Sequence, residues 1–532
     1  MRRGGHLVED ISTLTRNPRR SGPGAPGLVP ALTLISHPKI QRIGERVLLR
    51  ELEAGREAAI SRTEPLFARP GSVVGLPLAD PFLSRKPLRL LPREQGGVRI
   101  VAGSSPQVIV EGEPLTGERE LETQALVTGV TLELAERVVL LLHWVEPAEK
   151  EGGEELGMVG QSAAVRRVRR QVMQVADLDV PVLIRGETGT GKELVARALH
   201  QHGLRHKGPF ISVNLGALPK ELAASELFGA ERGAYTGATH SREGFFRAAQ
   251  GGTLFLDEVA EASPEVQALL LRVLETGEMF PVGARTPVKT QVRLVAATDA
   301  HLEEQIQQGQ FKAPLLHRLA GFEIRVPPLR ERREDLGLLL LHFARQELES
   351  LGEVWRLESS EPSAEPWLPA ALASRLVRYP WPGNVRQLRN VTRQLVIGSR
   401  GLPSLHVDPR LEEELSSLAA VSPTPPSPSS SKALPETRRK PSEVSEEEMM
   451  GALRAHGYDL AAASNQLGIT RASLYNLMKK SSRVRTAKDL SVEQIRQSYS
   501  ECNGDLELMS QRLEVSLRAL QRRVRELGLV SN

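Results

Sequence analysis

The sequence predicts a multidomain chain built from an all-β sandwich, an α/β core and all-α helix-turn-helix units. Three observations lead there. A glycine-rich turn sits between an apolar strand and an apolar-faced helix, short apolar runs separated by Gly and Pro precede it, and two helical segments offset by 46 residues follow it. The length of 532 residues is too great for one core, so three or four domains are expected.

Composition narrows the class. A formal charge of +4 is small for this length, and a pI near 9.2 leaves room for an anionic partner without proving one. Cys502 is the only cysteine, which excludes an internal disulfide and a cysteine-based zinc site and suits a reducing cytoplasm. The longest apolar run, 138–142, is far shorter than the roughly 20 residues of a membrane span, so no membrane association is expected. Arg2 and Arg3 have no apolar stretch behind them, so no signal peptide is expected.

Residues 1–38, rich in Arg, Gly and Pro, read as a disordered leader. Between 39 and 147 the runs at 46–49, 88–91, 98–101 and 108–110 alternate with turns, the signature of a β-sandwich. Asp80-Pro81-Phe82-Leu83-Ser84-Arg85, the later Gly103-Ser104-Ser105 turn and the strand spacing resemble a forkhead-associated domain, a reader of phosphothreonine peptides. Ser84 and Arg85 are in place. Leu76 follows Gly75 where that family carries a phosphate-binding Arg, and Pro87 stands where it carries a His, so the expected partner is a phosphoprotein or another protein held by a fold that lost part of its anion site.

The turn comprises Gly186, Glu187, Thr188, Gly189, Thr190, Gly191, Lys192 and Glu193, after Val182-Leu183-Ile184. Glycines let successive backbone N–H groups converge on an anion, the following helix adds its positive end, and Lys192 supplies a point charge for outer phosphates. Glu193 fills the position where such loops carry a Ser or Thr for magnesium, so metal binding must lean on other groups. The run Thr253-Leu254-Phe255-Leu256 ends in Asp257 and Glu258. Asp257 is placed to meet a magnesium-bound nucleotide, and Glu258 to polarise the attacking water. The strand 210–214 ends in Asn214, which either hydrogen-bonds Glu258 and gates it or caps a turn.

Downstream, Glu226-Leu227-Phe228-Gly229-Ala230-Glu231-Arg232 leads into Gly233, Ala234, Tyr235, Thr236, Gly237 and Ala238, a small-residue loop presenting an aromatic tip. With 186–193 and Asp257-Glu258, this stretch resembles the AAA+ P-loop ATPase domain of sigma-54-dependent transcriptional activators over about 157–400. The resemblance implies ATP and Mg2+ as cofactors, a helical lid, and a loop that pushes on sigma-54 RNA polymerase holoenzyme. Tyr235 stands where that family usually has Phe. It also implies Thr298 as a phosphate-state sensor, with Asp299 replacing the usual Asn. Lys312 and Arg318 fall where two arginines reach a neighbouring subunit's nucleotide, Lys312 being a departure that cannot form a planar fork. Arg386, after Trp381-Pro382-Gly383-Asn384, is expected to reach the nucleotide from the lid. A site completed in trans implies a ring-shaped homo-oligomer, usually a hexamer.

Residues 401–442 form a Pro/Ser-rich linker. Two units follow, 443–482 and 488–532, in which Ser445, Glu447, Asp459, Leu460, Ser464, Leu467 and Leu474 align with Ser491, Glu493, Asp505, Leu506, Ser510, Leu513 and Leu520. Both resemble Fis-type helix-turn-helix domains, which implies enhancer DNA as a partner. The expected DNA contacts are Arg471, Ser473, Tyr475, Asn476 and Lys479 in the first copy, and Arg518, Arg522 and Arg523 in the second. The reading is an ATP-dependent transcription activator. The alternative is a non-hydrolysing DNA-binding scaffold or repressor, motivated by Lys312, Pro314, Asp299 and Tyr235.

Overall fold

The structure, a computed structural model, describes residues 27–417 apart from 94–95, 104–107, 148–153, 235–240 and 358–364, together with stretches of 444–524. Contacts divide the chain into one unit up to Pro423 and a second from Thr424.

The first unit begins with two antiparallel sheets. The larger contains Val29–Ser36, Arg46–Leu48, Val108–Val110, Glu113–Pro114, Val130–Leu134 and Val138–Val145; the smaller contains Ala58–Ile60, Leu88–Pro92, Val98–Val101 and Glu118–Leu121. Leu32, Leu34, Leu90, Ile100, Leu132, Leu140 and Leu142 fill the space between them. The disordered leader expected over 1–38 needs correction, because Val29–Ser36 is a fully buried strand of this sheet, paired along its length with Val138–Val145.

The other face of that sheet is buried too. Side chains alternate along a strand, so Leu140 and Leu142 point into the sandwich while Val139 and Leu141 point away from it. Val139 and Leu141, with Ile35, Ile40 and Ile43, join one apolar core with the lid residues Leu336, Leu340, Leu376, Val377, Tyr379 and Trp381. Removing each such side chain from water is worth about 1.5–3 kcal/mol. Polar ties cross the same seam: Ser36 Oγ donates to the Leu368 carbonyl (3.2 Å), and Arg378 donates to the Glu111 carbonyl (2.9 Å). Gly337 opens the lid helix Leu336–Leu351 where a Cβ would strike the Ile35 carbonyl. The β-sandwich is thereby seated on the lid rather than strung from it.

The central domain holds a parallel five-stranded sheet in the order Phe210–Asn214, Thr253–Asp257, Arg293–Thr298, Val182–Arg185, Phe322–Arg325. Its inner strands are apolar on both sides because helices cover both faces. All strands run parallel, so their carboxyl ends share one edge, where ligands of such sheets bind. The lid continues beyond 400: Leu405 and the helix Pro409–Ser417, through Leu411 and Leu415, pack into its core, and Glu412 pairs with Arg375. The linker expected from 401 therefore begins no earlier than the end of that helix, for these leucines are buried against Trp367 and its neighbours.

In the second unit two small cores form. Met449, Ala463 and Leu474 occupy one, and Ile495, Met509 and Leu520 the other, at the same 46-residue offset as the sequence repeat. The helices Glu446–Ala455, Val492–Glu501 and Leu506–Leu513 carry part of these positions.

Candidate active site

The turn at 186–193 leaves the strand Val182–Arg185 and enters the helix Lys192–Gln201. Gly189 (φ +79°) and Gly191 (φ +101°) adopt backbone angles that other residues resist. Lys192 is buried and its Nζ donates to the carbonyls of Gly186 (2.8 Å) and Glu187 (3.4 Å). Burial pushes its pKa down, while Asp299, Asp257 and Glu258 pull it back up; the lysine thus lies among three carboxylates and has its charge available for a phosphate. Thr190 Oγ1 donates to the Glu187 carbonyl (2.8 Å) and closes the turn.

Asp257 ends its strand half-buried, its Oδ1 accepting from the Glu258 N–H (3.0 Å), and burial raises its pKa. Glu258 follows in the left-handed region (φ 55°), which swings its carboxylate out of the strand line toward Gly216. There a Cβ on residue 216 would strike Glu258 Oε2 and would lie 3.3 Å from Asn214 Oδ1. Asn214 itself accepts from the Ala217 N–H (3.1 Å). Of the two roles open to Asn214 in the sequence, the turn cap is the bond formed, and it leaves the amide beside the Glu258 carboxylate.

Other expected residues fall as follows. The Thr298 hydroxyl accepts from the Ala300 N–H (3.1 Å), and its carbonyl accepts from the Gly186 N–H (3.2 Å), so Thr298 braces the turn. The side chain that touches the loop is the neighbouring Asp299, which accepts from Thr188 Oγ1. Glu193 is exposed and pairs with Arg197 (2.7 Å). Arg386 is exposed, close enough to Lys192 to depress its pKa, and its backbone N–H donates to the Gly189 carbonyl (3.2 Å). Lys312 and Arg318 lie on an exposed face of the helix Ala313–Leu319 and its N-cap, with Arg318 3.9 Å from Glu275.

Sequence reading missed how tightly the lid grips the turn. Asn384 is fully buried at φ 52°; its Oδ1 accepts from the Leu329 N–H (2.8 Å), and its Nδ2 donates to Glu187 Oε2 and the Thr188 carbonyl (both 3.1 Å). Arg330 completes the clamp with two bonds to Glu187 (2.8 and 2.5 Å), which hold that carboxyl down to about 2. A Cβ on Gly189 would strike the Gly383 carbonyl. The only local signal was an Asn after Gly383, typical of a left-handed turn. Beside the turn opens a mostly apolar cleft of about 80 Å3, lined by Met158, Val159, Leu194, Val326 and Phe343 among others, whose apolar walls suit the face of a planar heterocycle.

The expected loop springs from a tied stem. Ala230 and Arg242 exchange backbone bonds (3.0 and 2.8 Å), Glu226 pairs with Arg242 (2.6 Å), and Phe228 stacks on Phe246 at 5.1 Å. Gly233 (φ +81°) and Ala234 leave this stem, while Tyr235, Thr236, Gly237 and Ala238 lie outside the described residues. So do Arg471, Ser473, Tyr475, Asn476, Lys479, Arg518 and Arg522; Arg523 is half-buried beside Val524. Among the described residues no group of three or more His, Cys, Asp or Glu gathers as a metal site, and no helix is long and apolar enough to cross a membrane.

Comparison with known proteins agrees with this layout. The sigma-54 interaction domain family matches residues 158–325, the AAA+ ATPase lid domain 330–419, and the bacterial regulatory protein, Fis family, 440–480. The DNA-binding transcriptional regulator NtrC of Azospirillum brasilense is 49% identical over 245 residues, 46% of this chain and 49% of that protein. The chain thus spans about half the length of that relative. The nitric oxide reductase transcription regulator NorR1 of Cupriavidus necator is 39% identical over 375 residues, covering 67% of this chain and 70% of the relative. The crystal structure of NtrX from Brucella abortus in complex with ATP is 30% identical, covers 61% of this chain and 69% of its own, and superposes with a TM-score of 0.42. With the phosphate turn, the acidic strand end and the lid in one site, and with a relative matched over more than two thirds of its length, the chain belongs to the sigma-54-dependent transcriptional regulators with an AAA+ ATPase domain.

Proposed function

We propose that this protein is an ATP-hydrolysing transcription activator that holds enhancer DNA and remodels sigma-54 RNA polymerase holoenzyme so that promoters open. The observation carrying it is the convergence of Lys192, Asp257 and Glu258 at one sheet edge, with a small-residue loop on a tied stem in the same domain. The turn at 186–193 binds the phosphates, and the cleft beside it takes the base. Glu258, set beside Asn214, takes a proton from the attacking water. Asp257, a half-buried carboxylate at the strand end, is the residue that would hold a magnesium ion, which would supply charge neutralisation at the phosphates.

Arg318 and Lys312, both exposed, serve a neighbour's nucleotide in a ring, usually a hexamer. The helix-turn-helix copies grip DNA through Arg471, Ser473, Tyr475, Asn476, Lys479, Arg518, Arg522 and Arg523, and the work is done in the cytoplasm. The forkhead-associated-like sandwich takes the input from a phosphoprotein or another protein. Purified protein with sigma-54 holoenzyme and promoter DNA is expected to give open complexes only with hydrolysable ATP. Thr236→Ala is expected to keep ATP turnover and lose them. Turnover by the wild type without any open complex contradicts the proposal.

A further inference from the structure

The cleft beside the phosphate turn draws its lining from both the α/β core and the lid. Met158 and Val159 come from the segment that leads into the helix Ala163–Val175, and Val165 from its first turn; Leu339, His342 and Phe343 come from the lid helix Leu336–Leu351. Spacings of three and four residues set those three lid side chains along one stripe of their helix. Asp335, four residues before Leu339, stands at the head of that stripe.

Asp335 is wholly buried at the N-cap position of the lid helix, where an Asp ordinarily accepts from the second or third amide of its own helix. Its side chain makes no such bond. Instead Oδ1 accepts from the N–H groups of Gln161 (2.5 Å) and Ser162 (2.9 Å), and Oδ2 accepts from the Ser162 hydroxyl (2.6 Å). Ser162 is in turn the N-cap of the helix Ala163–Val175, its Oγ accepting from the Val165 N–H (3.3 Å). One lid carboxylate thus lies at the starts of two helices, and both positive ends favour its charge. Gly160 leaves room for it: at φ +131° a Cβ there would lie 2.5 Å from Oδ2. The carbonyls of the same segment are gathered from its own domain, Arg169 donating to those of Glu155 (3.2 Å), Met158 and Gly160 (2.8 Å).

We infer that Asp335 is a positioning residue for the nucleotide base: without touching the nucleotide, it holds the segment 158–162 to the lid and so sets the spacing between the core and lid parts of the cleft. A flat ring gains from such a cleft through close contact with its apolar lining, and a gap of about 0.5–1 Å forfeits about a quarter to a half of that attraction. The phosphates are gripped elsewhere, by a turn whose braces are Lys192, Thr190, Arg330 and Asn384. Arg332, the charged neighbour of Asp335, reaches the Thr190 carbonyl only at 3.5 Å. Loss of the Asp335 tie therefore falls on the base and spares the phosphates. The inference rests on the proposed reading of this cleft as the base site.

Calorimetric titration of the full chain with ADP and with inorganic pyrophosphate separates the base from the phosphates. The wild type is expected to hold ADP the more tightly. Asp335→Ala is expected to weaken ADP about tenfold while pyrophosphate changes by less than about twofold, a split that general loosening of the domain does not produce. Gly160→Ala, which drives a Cβ against the same carboxylate from the core side, is the second variant should Asp335→Ala lose its folded melting transition, and it is expected to lower ADP affinity likewise. Equal affinity of the wild type for the two ligands removes the base from the cleft and overturns the reading of the site together with the inference. A wild type that prefers ADP, beside variants that keep the preference or weaken both ligands alike, overturns the role of Asp335 and leaves the base site standing.

Discussion

Replacing Asn384 by Ala tests the clamp between lid and phosphate turn. The substitution strips the acceptor from the buried Leu329 N–H and the donor from the Thr188 carbonyl, and takes one of the bonds from Glu187. A buried polar group left unpaired costs about 1–3 kcal/mol, and an alanine held in the left-handed region costs about 1–2 kcal/mol more. Together the penalty is about 4 kcal/mol, or a fall of about 10 °C in the melting of a domain this large. Asn384→Gly removes the same hydrogen bonds without the backbone cost, so it is expected to melt between Asn384→Ala and the wild type. Thermal denaturation of the full chain, with and without ADP, reads all three. ADP is expected to raise the transition less in Asn384→Ala, because the turn it orders has lost its brace. A variant melting within about 2 °C of wild type, with an undiminished ADP shift, refutes the clamp.

Two further outcomes follow from the geometry. Gly216→Ala drives a Cβ into the Glu258 carboxylate, so turnover is expected to fall about 100-fold while the ADP-induced melting shift stays; unchanged turnover removes Glu258 from the position given to it. His37 and His143 are buried in the sandwich, and burial lowers them to about 4 and about 3, so both are neutral when folded and protonate on unfolding. Depressed pKa values leave this stability intact above pH 6.5 and remove it as pH falls, by about 2 kcal/mol for each histidine between pH 7 and 5. Urea unfolding of the sandwich at the two pH values checks this, and His143→Gln, which removes one of the two groups, is expected to halve the difference.

The catalytic strands were legible because a strand covered on both faces is a continuous apolar run, as in 182–184 and 253–256, and because glycines mark a turn that bends tightly around an anion. Val29–Ser36 was not. Its opening lies in a Gly/Pro-rich stretch, and the partner that gives it meaning, Val138–Val145, is more than a hundred residues away, as the Thr33 to His143 bond shows. The apolar run at 138–142 was read only for what it excludes, yet an uninterrupted run in an antiparallel sheet signals two buried faces, here the sandwich interior and the lid. Asn384 and Gly216 are ordinary turn residues until the chain brings Glu187 and Glu258 against them. Residues 405–415 look like linker since their leucines are sparse, and only the lid groove shows that each is used.

ATP turnover by the full chain carrying Glu258→Gln, measured beside its ADP-induced melting shift, bears most directly on the proposal that this site consumes nucleotide to drive remodelling. Wild-type hydrolysis, near-complete loss in the variant and an unchanged ADP shift are the expected results. A wild type that binds nucleotide yet never hydrolyses it at concentrations where it assembles, or a variant that hydrolyses as fast as the wild type, contradicts the account.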